Sequence, residues 1–567
     1  MLGVGDEADR RRRAPDKVTT LDDAVSHVRA GDTVHVVCSH TRWTAGARAL
    51  VRRWWGLDPG WTLVMLSLSS LGTLFVRGGL VRRIVTGYSG DVFPNFTPNP
   101  RFGHAYLSGE VEVEHWSFLT FAQRLEAAAR GLPAMVTGSL AGSSMEDNPA
   151  FDRVETPFGR VGLVAPLAPD VALVHGAVAD RAGNVAMHPP LLEGVWGALA
   201  ARRGVVATVE QVVDDIRPWS HLVRIPAHRT LAVAECPLGA HPGGLYGTFT
   251  PVAPYGEDLD FWREARDVSR LDDEGFDEWI RRWVLEPEDQ HAYLDRLGGD
   301  RIERLRARAA PDSWVAEAES SPPDPTAPAN DWELATVHGA RALAARLVAT
   351  QADVVLAGAG VANLATWLAV EQARSAGATT VLTAELGLLG YTPTPADPFV
   401  FNHRAFPSAT QLSTSDEVLG ALVPGPGATA LACLGAAQFD ADGNINSTVV
   451  PPSTFLVGSG GGNDVASTAD EVVVVTTLTG RRTVARCPYV TSPGDRVSTI
   501  ATDQGVFERR DGRFVLTKVR PGAVPTIRER LAWDLEVAPD CVELDPPTTD
   551  ELTRLRTWDP HGLFLRA

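Results

Sequence analysis

Strand-like apolar runs and helix-like amphipathic runs alternate along this chain in two separate series, with a proline-rich segment between them. In the first series, Gly31-Asp-Thr-Val-His-Val-Val-Cys38, residues 62–68 and residues 81–86 read as strands, and residues 45–55 read as a helix. Residues 91–101 are rich in Pro and Asn and read as a loop. Residues 118–130 read as a helix closed by Gly131 and Pro133. Residues 171–175 and 205–210 are further strands, and residues 261–310 are charged and helical. Residues 317–330 hold Ser320-Ser-Pro-Pro-Asp-Pro325 and Pro328, a composition that buries little and orders poorly. The second series then begins: a helix from Trp332 to Thr350, and strands over 353–356, 379–383, 430–434 and 471–476. Alternation of this kind predicts βαβ units on mainly parallel sheets. The expected class is α/β, with two tandem open αβ domains at 17–310 and 331–545 joined by an exposed linker at 311–330.

The two series echo each other. Gly176-Ala-Val-Ala-Asp-Arg-Ala-Gly-Asn184 parallels Gly435-Ala-Ala-Gln-Phe-Asp-Ala-Asp-Gly-Asn444, and each follows an apolar strand and precedes another. Either two related domains share one chain, or a common Asp-x-x-Gly-Asn turn recurs by chance.

A length of 567 residues exceeds one ordinary core, and 44% hydrophobic with 22% charged residues is the balance of a soluble globular protein. The net charge of −18 argues against a nucleic-acid partner, since a phosphate backbone selects a basic face. Cys38, Cys236, Cys433, Cys487 and Cys541 are scattered without a Cys-x-x-Cys pair, so neither a zinc site nor a disulfide framework is expected. No run is long and apolar enough to span a bilayer, and no apolar stretch follows Arg10-Arg-Arg-Arg13 as a signal peptide would require. A cytoplasmic protein without membrane contact is expected.

The chemistry concentrates in the second series. In Thr379-Thr-Val-Leu-Thr-Ala-Glu-Leu-Gly-Leu-Leu-Gly390, Glu385 stands just past a buried strand, and two glycines can turn the chain behind it. Ligands of open α/β sheets sit beyond the carboxyl ends of the strands. A carboxylate there, between apolar neighbours, is a candidate nucleophile; a helix cap or an arginine partner is the plainer alternative. Gly458-Ser-Gly-Gly-Gly462 can present backbone N–H groups to an oxyanion or a phosphate. Gly358-Ala-Gly-Val-Ala-Asn363 begins like a dinucleotide fingerprint, but Asn363 replaces the third glycine and no acidic residue follows at the expected distance. P-loop, zincin and nucleophile-elbow patterns are absent, and the 14 histidines do not cluster at ligand spacing.

Taken together, these stretches resemble the class I coenzyme A transferases, most closely glutaconate CoA-transferase. Ala384-Glu-Leu-Gly387 is similar to the family's Glu-Ser-Gly or Glu-Asn-Gly segment. Gly435-Ala-Ala-Gln-Phe-Asp-Ala-Asp-Gly-Asn-Ile-Asn-Ser447, Gly458-Ser-Gly-Gly461 and Tyr489-Val-Thr-Ser-Pro-Gly494 follow in the family's order. The first half resembles the family's other subunit through Gly131-Leu-Pro133 and Asp180-Arg-Ala-Gly-Asn184. The resemblance implies two NagB/RpiA/CoA-transferase-type domains, fused here where most members keep two subunits, with the active site between them. It implies transfer of CoA from an acyl-CoA to a carboxylate acceptor by a ping-pong route through a glutamyl-CoA thioester on Glu385. Coenzyme A is then a substrate, and no metal or other cofactor is called for. Backbone N–H groups of Gly460 and Gly461 are the expected oxyanion donors. Gln438 orients Glu385 or the substrate carboxylate, or else bonds the next strand. Arg42, past a strand end in the first half, is a candidate clamp for a substrate carboxylate, or else makes a surface salt bridge. A homo-oligomer, dimer or tetramer, is expected.

Two other readings stay open. The first half, over residues 87–144, also resembles the two-subunit hydrolases that open steroid-ring CoA thioesters. Those relatives use a glutamate in the first of their two subunits, and residues 112–118 do not place one there convincingly. The third reading is a non-catalytic CoA-ester-binding protein, which an intact Glu385 and glycine loop oppose.

Overall fold

A computed structural model of the chain describes residues 15–38, 43–246 and 250–566. Each half is built on its own large sheet. In the first, seven strands run parallel in the spatial order Thr230–Glu235, Gly204–Val213, Val171–Asp180, Thr33–Val36, Trp61–Val64, Val81–Thr86, Glu112–His115. Two short strands, Val185–Ala186 and Val223–Ile225, complete nine. Val171–Asp180 is buried along nearly its whole length, as an unbroken apolar run covered on both faces requires. In the second half, Val381–Ala384, Val354–Ala357, Ala430–Gly435, Glu471–Val475 and Val497–Ala501 form the parallel centre of a ten-stranded sheet. Antiparallel strands extend it on both sides. This is the α/β, two-domain architecture expected from the alternation.

Local signals explain the element ends. Ser117 accepts the Thr120 N–H to open the helix Phe118–Arg130, and Gly131, at φ +67°, closes it in the left-handed region. Asn330 and Glu333 form a reciprocal capping box at the head of Asp331–Thr350. The two Asp-x-x-Gly-Asn turns are the same turn. Asp180 Oδ1 accepts from the N–H of Gly183 and of Asn184, each at 2.9 Å. Asp440 Oδ1 accepts from Asp442 N–H at 3.1 Å and Asn444 N–H at 3.0 Å. In each turn the Asn side chain donates back to the aspartate, and each turn reverses a short antiparallel pair. A shared hydrogen-bond pattern in a shared strand context marks a structural repeat, not a chance motif.

Three stretches differ from expectation. Residues 62–68 divide into Trp61–Val64 and Ser67–Leu68, the latter pairing with Tyr88–Ser89. The loop at 91–101 ends earlier, because Asn99 caps a helix that starts at Pro100. Residues 135–164 carry a three-stranded antiparallel sheet that no alternation had signalled. Of the join, Trp314–Ser320 is helical, and residues 321–330 lie half-exposed with the Asp324 and Ala327 carbonyls held by Arg556. Beyond residue 545, the helix Thr549–Trp558 packs on Asp331–Thr350 and Val361–Ser375.

Candidate active site

Glu385 is the first residue beyond the strand Val381–Ala384, at the carboxyl end of the parallel strands. The chain must then fold straight back. Gly387 makes this possible at φ +111°, where a Cβ would stand 2.4 Å from the Ser413 carbonyl oxygen, so only glycine fits. Thr383 Oγ1 ties the turn to the Leu388 carbonyl at 2.6 Å. Glu385 is thereby fixed at its backbone while its side chain, half-buried, reaches into a cavity of about 540 Å³.

The glycine loop supplies the facing wall. The Gly461 N–H donates to Glu385 Oε2 at 3.0 Å. A Cβ on Gly461 would stand 2.2 Å from that oxygen, so the absence of a side chain is what lets the two groups meet. Gly460 has another duty: its N–H donates to the Gly87 carbonyl at 3.0 Å, and its carbonyl accepts the Phe118 N–H at 3.0 Å. The Gly462 N–H goes to the Ser459 carbonyl. Of the Gly460 and Gly461 N–H groups expected as oxyanion donors, that of Gly461 faces the carboxylate and that of Gly460 is engaged by the backbone of the first half. Gly358 and Gly360 line the cavity as well, and Gly358 packs so closely on Cys433 that a Cβ would come within 2.4 Å of its carbonyl oxygen.

The same loop stitches the halves together. Ser89 N–H donates to the Val457 carbonyl at 2.7 Å, and Ser459 Oγ to the Trp116 carbonyl at 3.0 Å. Just beyond, Asn463 Oδ1 accepts the Leu140 N–H at 2.9 Å and Asp464 Oδ2 the Leu119 N–H at 3.0 Å. Tyr489-Val-Thr-Ser-Pro-Gly494 joins in, with Ser144 and Val490 bonded in both directions. Asp464 is fully buried, and burial pushes its carboxyl up to about 6, against hydrogen bonds from Ser117, Leu119 and Ser139 that favour the charged form. The cavity therefore lies between the halves: Ser67, Tyr88, Phe96 and Phe118 come from the first, Glu385 and Gly461 from the second.

Other expected residues stand elsewhere. Gln438 does not line the cavity; its Oε1 accepts from Asn446 Nδ2 at 2.9 Å on the paired strand, and its Nε2 donates to the Arg481 carbonyl at 3.4 Å. Arg42 lies outside the described residues. Glu114, near the place where a first-half glutamate would act, does not line the cavity and pairs with Arg83 and Arg124. Phe96, Phe564 and Arg482 are among the cavity residues that sequence reasoning missed. Phe96 and Phe564 are stacked with ring centroids 6.4 Å apart, one in the Pro/Asn-rich loop and the other beyond residue 545. Arg482 lies in the loop after the strand Glu471–Val475, too far past its end for the strand-end rule that found Glu385 to single it out.

A carboxylate oxygen beside an oriented N–H, in a cavity lined by both halves, suits attack on an electrophilic carbonyl. The family model described as "Coenzyme A transferase" matches residues 18–235 and 338–505. One of the two subunits of the 3-oxoadipate CoA-transferase of Pseudomonas knackmussii is 30% identical over 281 residues, 47% of this chain and 93% of that one. The cholesterol ring-cleaving hydrolase IpdA subunit of Mycobacterium tuberculosis is 30% identical over 309 residues, 51% of this chain and all of that one. Among solved structures, the acyl-CoA transferase YdiF apoenzyme from Escherichia coli O157:H7 superposes with a TM-score of 0.65 at 16% identity, covering 94% of this chain and 96% of that one, a likeness of fold. With a matched segment in each αβ half, this chain belongs to the coenzyme A transferase family and carries both halves of the family's architecture in one polypeptide.

Proposed function

We propose that the protein is an acyl-CoA:carboxylate CoA-transferase that works by a ping-pong mechanism with Glu385 as nucleophile. The observation that carries the reading is Glu385 itself: a strand-end carboxylate facing the Gly461 N–H in a cavity between the halves. A Glu385 oxygen attacks the thioester carbonyl, the C–S bond breaks, and CoA leaves as a thiolate. The product is a mixed anhydride between the acyl group and Glu385. The thiolate then attacks the Glu385 carbonyl carbon, the acyl carboxylate departs, and CoA remains on the protein as a glutamyl thioester. An acceptor carboxylate retraces the two steps and leaves as the new acyl-CoA. Nucleophile and leaving group are anions at every step, so no net proton moves and no electrons change hands. Coenzyme A enters as a substrate, and no further cofactor is needed.

Each attack builds negative charge on a carbonyl oxygen, and the Gly461 N–H is the proposed donor for it when the charge develops on Glu385. Because Gly460 is engaged with Gly87, the oxyanion role is assigned to Gly461 alone of the two. The hydrolase reading draws on the identity with the IpdA subunit. Against it, Glu385 is the one carboxylate lining the cavity among the described residues, and it comes from the second half. The test is incubation of wild-type protein and Glu385→Gln with an acyl-CoA and a carboxylate acceptor. Transfer falling by orders of magnitude in Glu385→Gln is expected; full activity in that variant refutes the assignment.

A further inference from the structure

The small antiparallel sheet of the first half has an open edge. Its strands lie in the order Met135–Thr137, Gly159–Val164, Phe151–Thr156, so the last of them is paired on one side only among the described residues. Its hairpin closes on the pair Thr156 and Gly159, whose backbone groups face each other. Along a strand the N–H and C=O groups alternate in direction, so those of Arg153 and Glu155 point to the open side. The Arg153 N–H, with no strand to meet there, donates to the carboxylate of its own neighbour Asp152 at 2.8 Å. The side chains of Arg153 and Glu155 are exposed, and Phe158 at the hairpin tip is 98% exposed. A row of free backbone groups is a template for one more strand.

The residues along the edge select that strand. Set antiparallel against a copy of itself, Phe151-Asp-Arg-Val-Glu-Thr156 can use only registers that bring open-side residues opposite each other. A two-fold axis at Arg153 sets Arg153 against Arg153. An axis at Glu155 sets Glu155 against Glu155, and Arg153 against Pro157, which has no N–H to give. An axis at Val154 sets Arg153 of each copy against Glu155 of the other, and these residues exchange backbone hydrogen bonds as well as opposite charge. The cross-strand rows then run on through the join. Glu155 lies opposite Arg160 and 3.6 Å from it, so one face reads Arg160, Glu155, and then Arg153 of the copy. Val154 lies opposite Val161, so the other face reads Val161, Val154, and then Val154 and Val161 of the copy. Phe158 comes to lie opposite Ala150 of the copy.

We propose that Phe151–Thr156 pairs with the same strand of a second copy of this chain about a two-fold axis at Val154, joining the two small sheets edge to edge. The contact is small for an interface, so the association is a weak one, in the micromolar range. Neither Arg153 nor Glu155 lines the active-site cavity, so the proposal does not depend on the role of Glu385. Sedimentation equilibrium between about 1 and 100 μM tests it. The mass of the wild-type protein should rise with concentration. Arg153→Glu, or Glu155→Arg, sets like charges against each other at both crossings and should weaken association at least about tenfold. An equimolar mixture of these two variants brings opposite charges together again and should associate as the wild type does. Glu155→Pro removes an open-side N–H, spares the pairing with Gly159–Val164, and should also weaken association. A wild-type mass that does not rise, association that neither charge variant weakens, or a mixture no better than its components would each overturn the proposal. If the single variants do not fold, the double variant Arg153→Glu/Glu155→Arg decides, because it restores both crossings between identical chains; its failure to associate as the wild type does overturns the proposal.

Discussion

Replacing Gly461 by alanine separates the chemistry of the site from the stability of the fold. Gly461 sits at φ −85° and ψ 0°, a conformation open to any L-residue, at the head of the helix Gly462–Thr468. Alanine therefore adds no backbone strain, and loses less conformational entropy on folding than glycine does, worth about 0.4–1 kcal/mol. Its Cβ would meet Glu385 Oε2 at 2.2 Å and Leu419 Cδ1 at 3.1 Å. An oxygen–carbon contact needs about 3.2 Å, so the carboxylate must retreat by about 1 Å and give up the Gly461 N–H. A displacement of about 1 Å in an attacking group costs about a hundredfold in rate, or about 3 kcal/mol of barrier. Gly460→Ala is the converse. Nothing lies within 4 Å of its Cβ, but φ is +55°, so strain of about 1–2 kcal/mol falls on the fold and little on the carboxylate. The assay pairs single-turnover transfer with thermal melting. Gly461→Ala should lose about two decades of rate with an unchanged melting temperature, and Gly460→Ala should lose melting temperature and keep most of its rate. Wild-type transfer by Gly461→Ala would refute the contact between loop and carboxylate as the basis of catalysis.

Two further outcomes follow from the join between the halves. A buried Asp464 titrating near 6 binds its proton more tightly folded than unfolded. Its contribution to stability is present below about pH 4 and is lost as pH rises to about 6, a change of about 3 kcal/mol at ~1.4 kcal/mol per unit. Asp464→Asn keeps an acceptor for the Leu119 N–H and removes this slope, so its stability should gain on wild type between pH 4 and 7; parallel pH profiles would contradict the assignment. Limited proteolysis should cut within 321–330, faster in Arg556→Ala because Arg556 holds two carbonyls of that segment, and the fragments should stay associated through the glycine loop. Fragments that separate, or a main cut within 351–480, would argue against this division of the chain.

The fold was legible because local chemistry marks it: unbroken apolar strands, capped helices, and a turn that writes its own hydrogen bonds into Asp-x-x-Gly-Asn. Glu385 was legible for the same reason, since strand end and glycine turn are neighbours in sequence. What escaped was decided at long range. Gly460 and Gly461 look alike in the chain, and only the approach of Gly87 engages one N–H and leaves the other for Glu385. Arg481 and Arg482 also look alike; the exposed first and the cavity-lining second differ only once the sheet is assembled. The aromatic wall joins Phe96 to Phe564 across almost the whole length of the sequence, beyond the reach of any periodicity. The Gln438 amide is held by its hairpin partner, the pairing that its strand position allowed.

The central claim is a covalent bond, and intact-protein mass spectrometry after incubation with an acyl-CoA tests it directly. Wild-type protein should gain the mass of CoA less one water, and peptide mapping should place the adduct on Glu385. An acceptor carboxylate should remove it, and Glu385→Gln should never acquire it. No adduct on the wild type, together with undiminished turnover by Glu385→Gln, would contradict the claim.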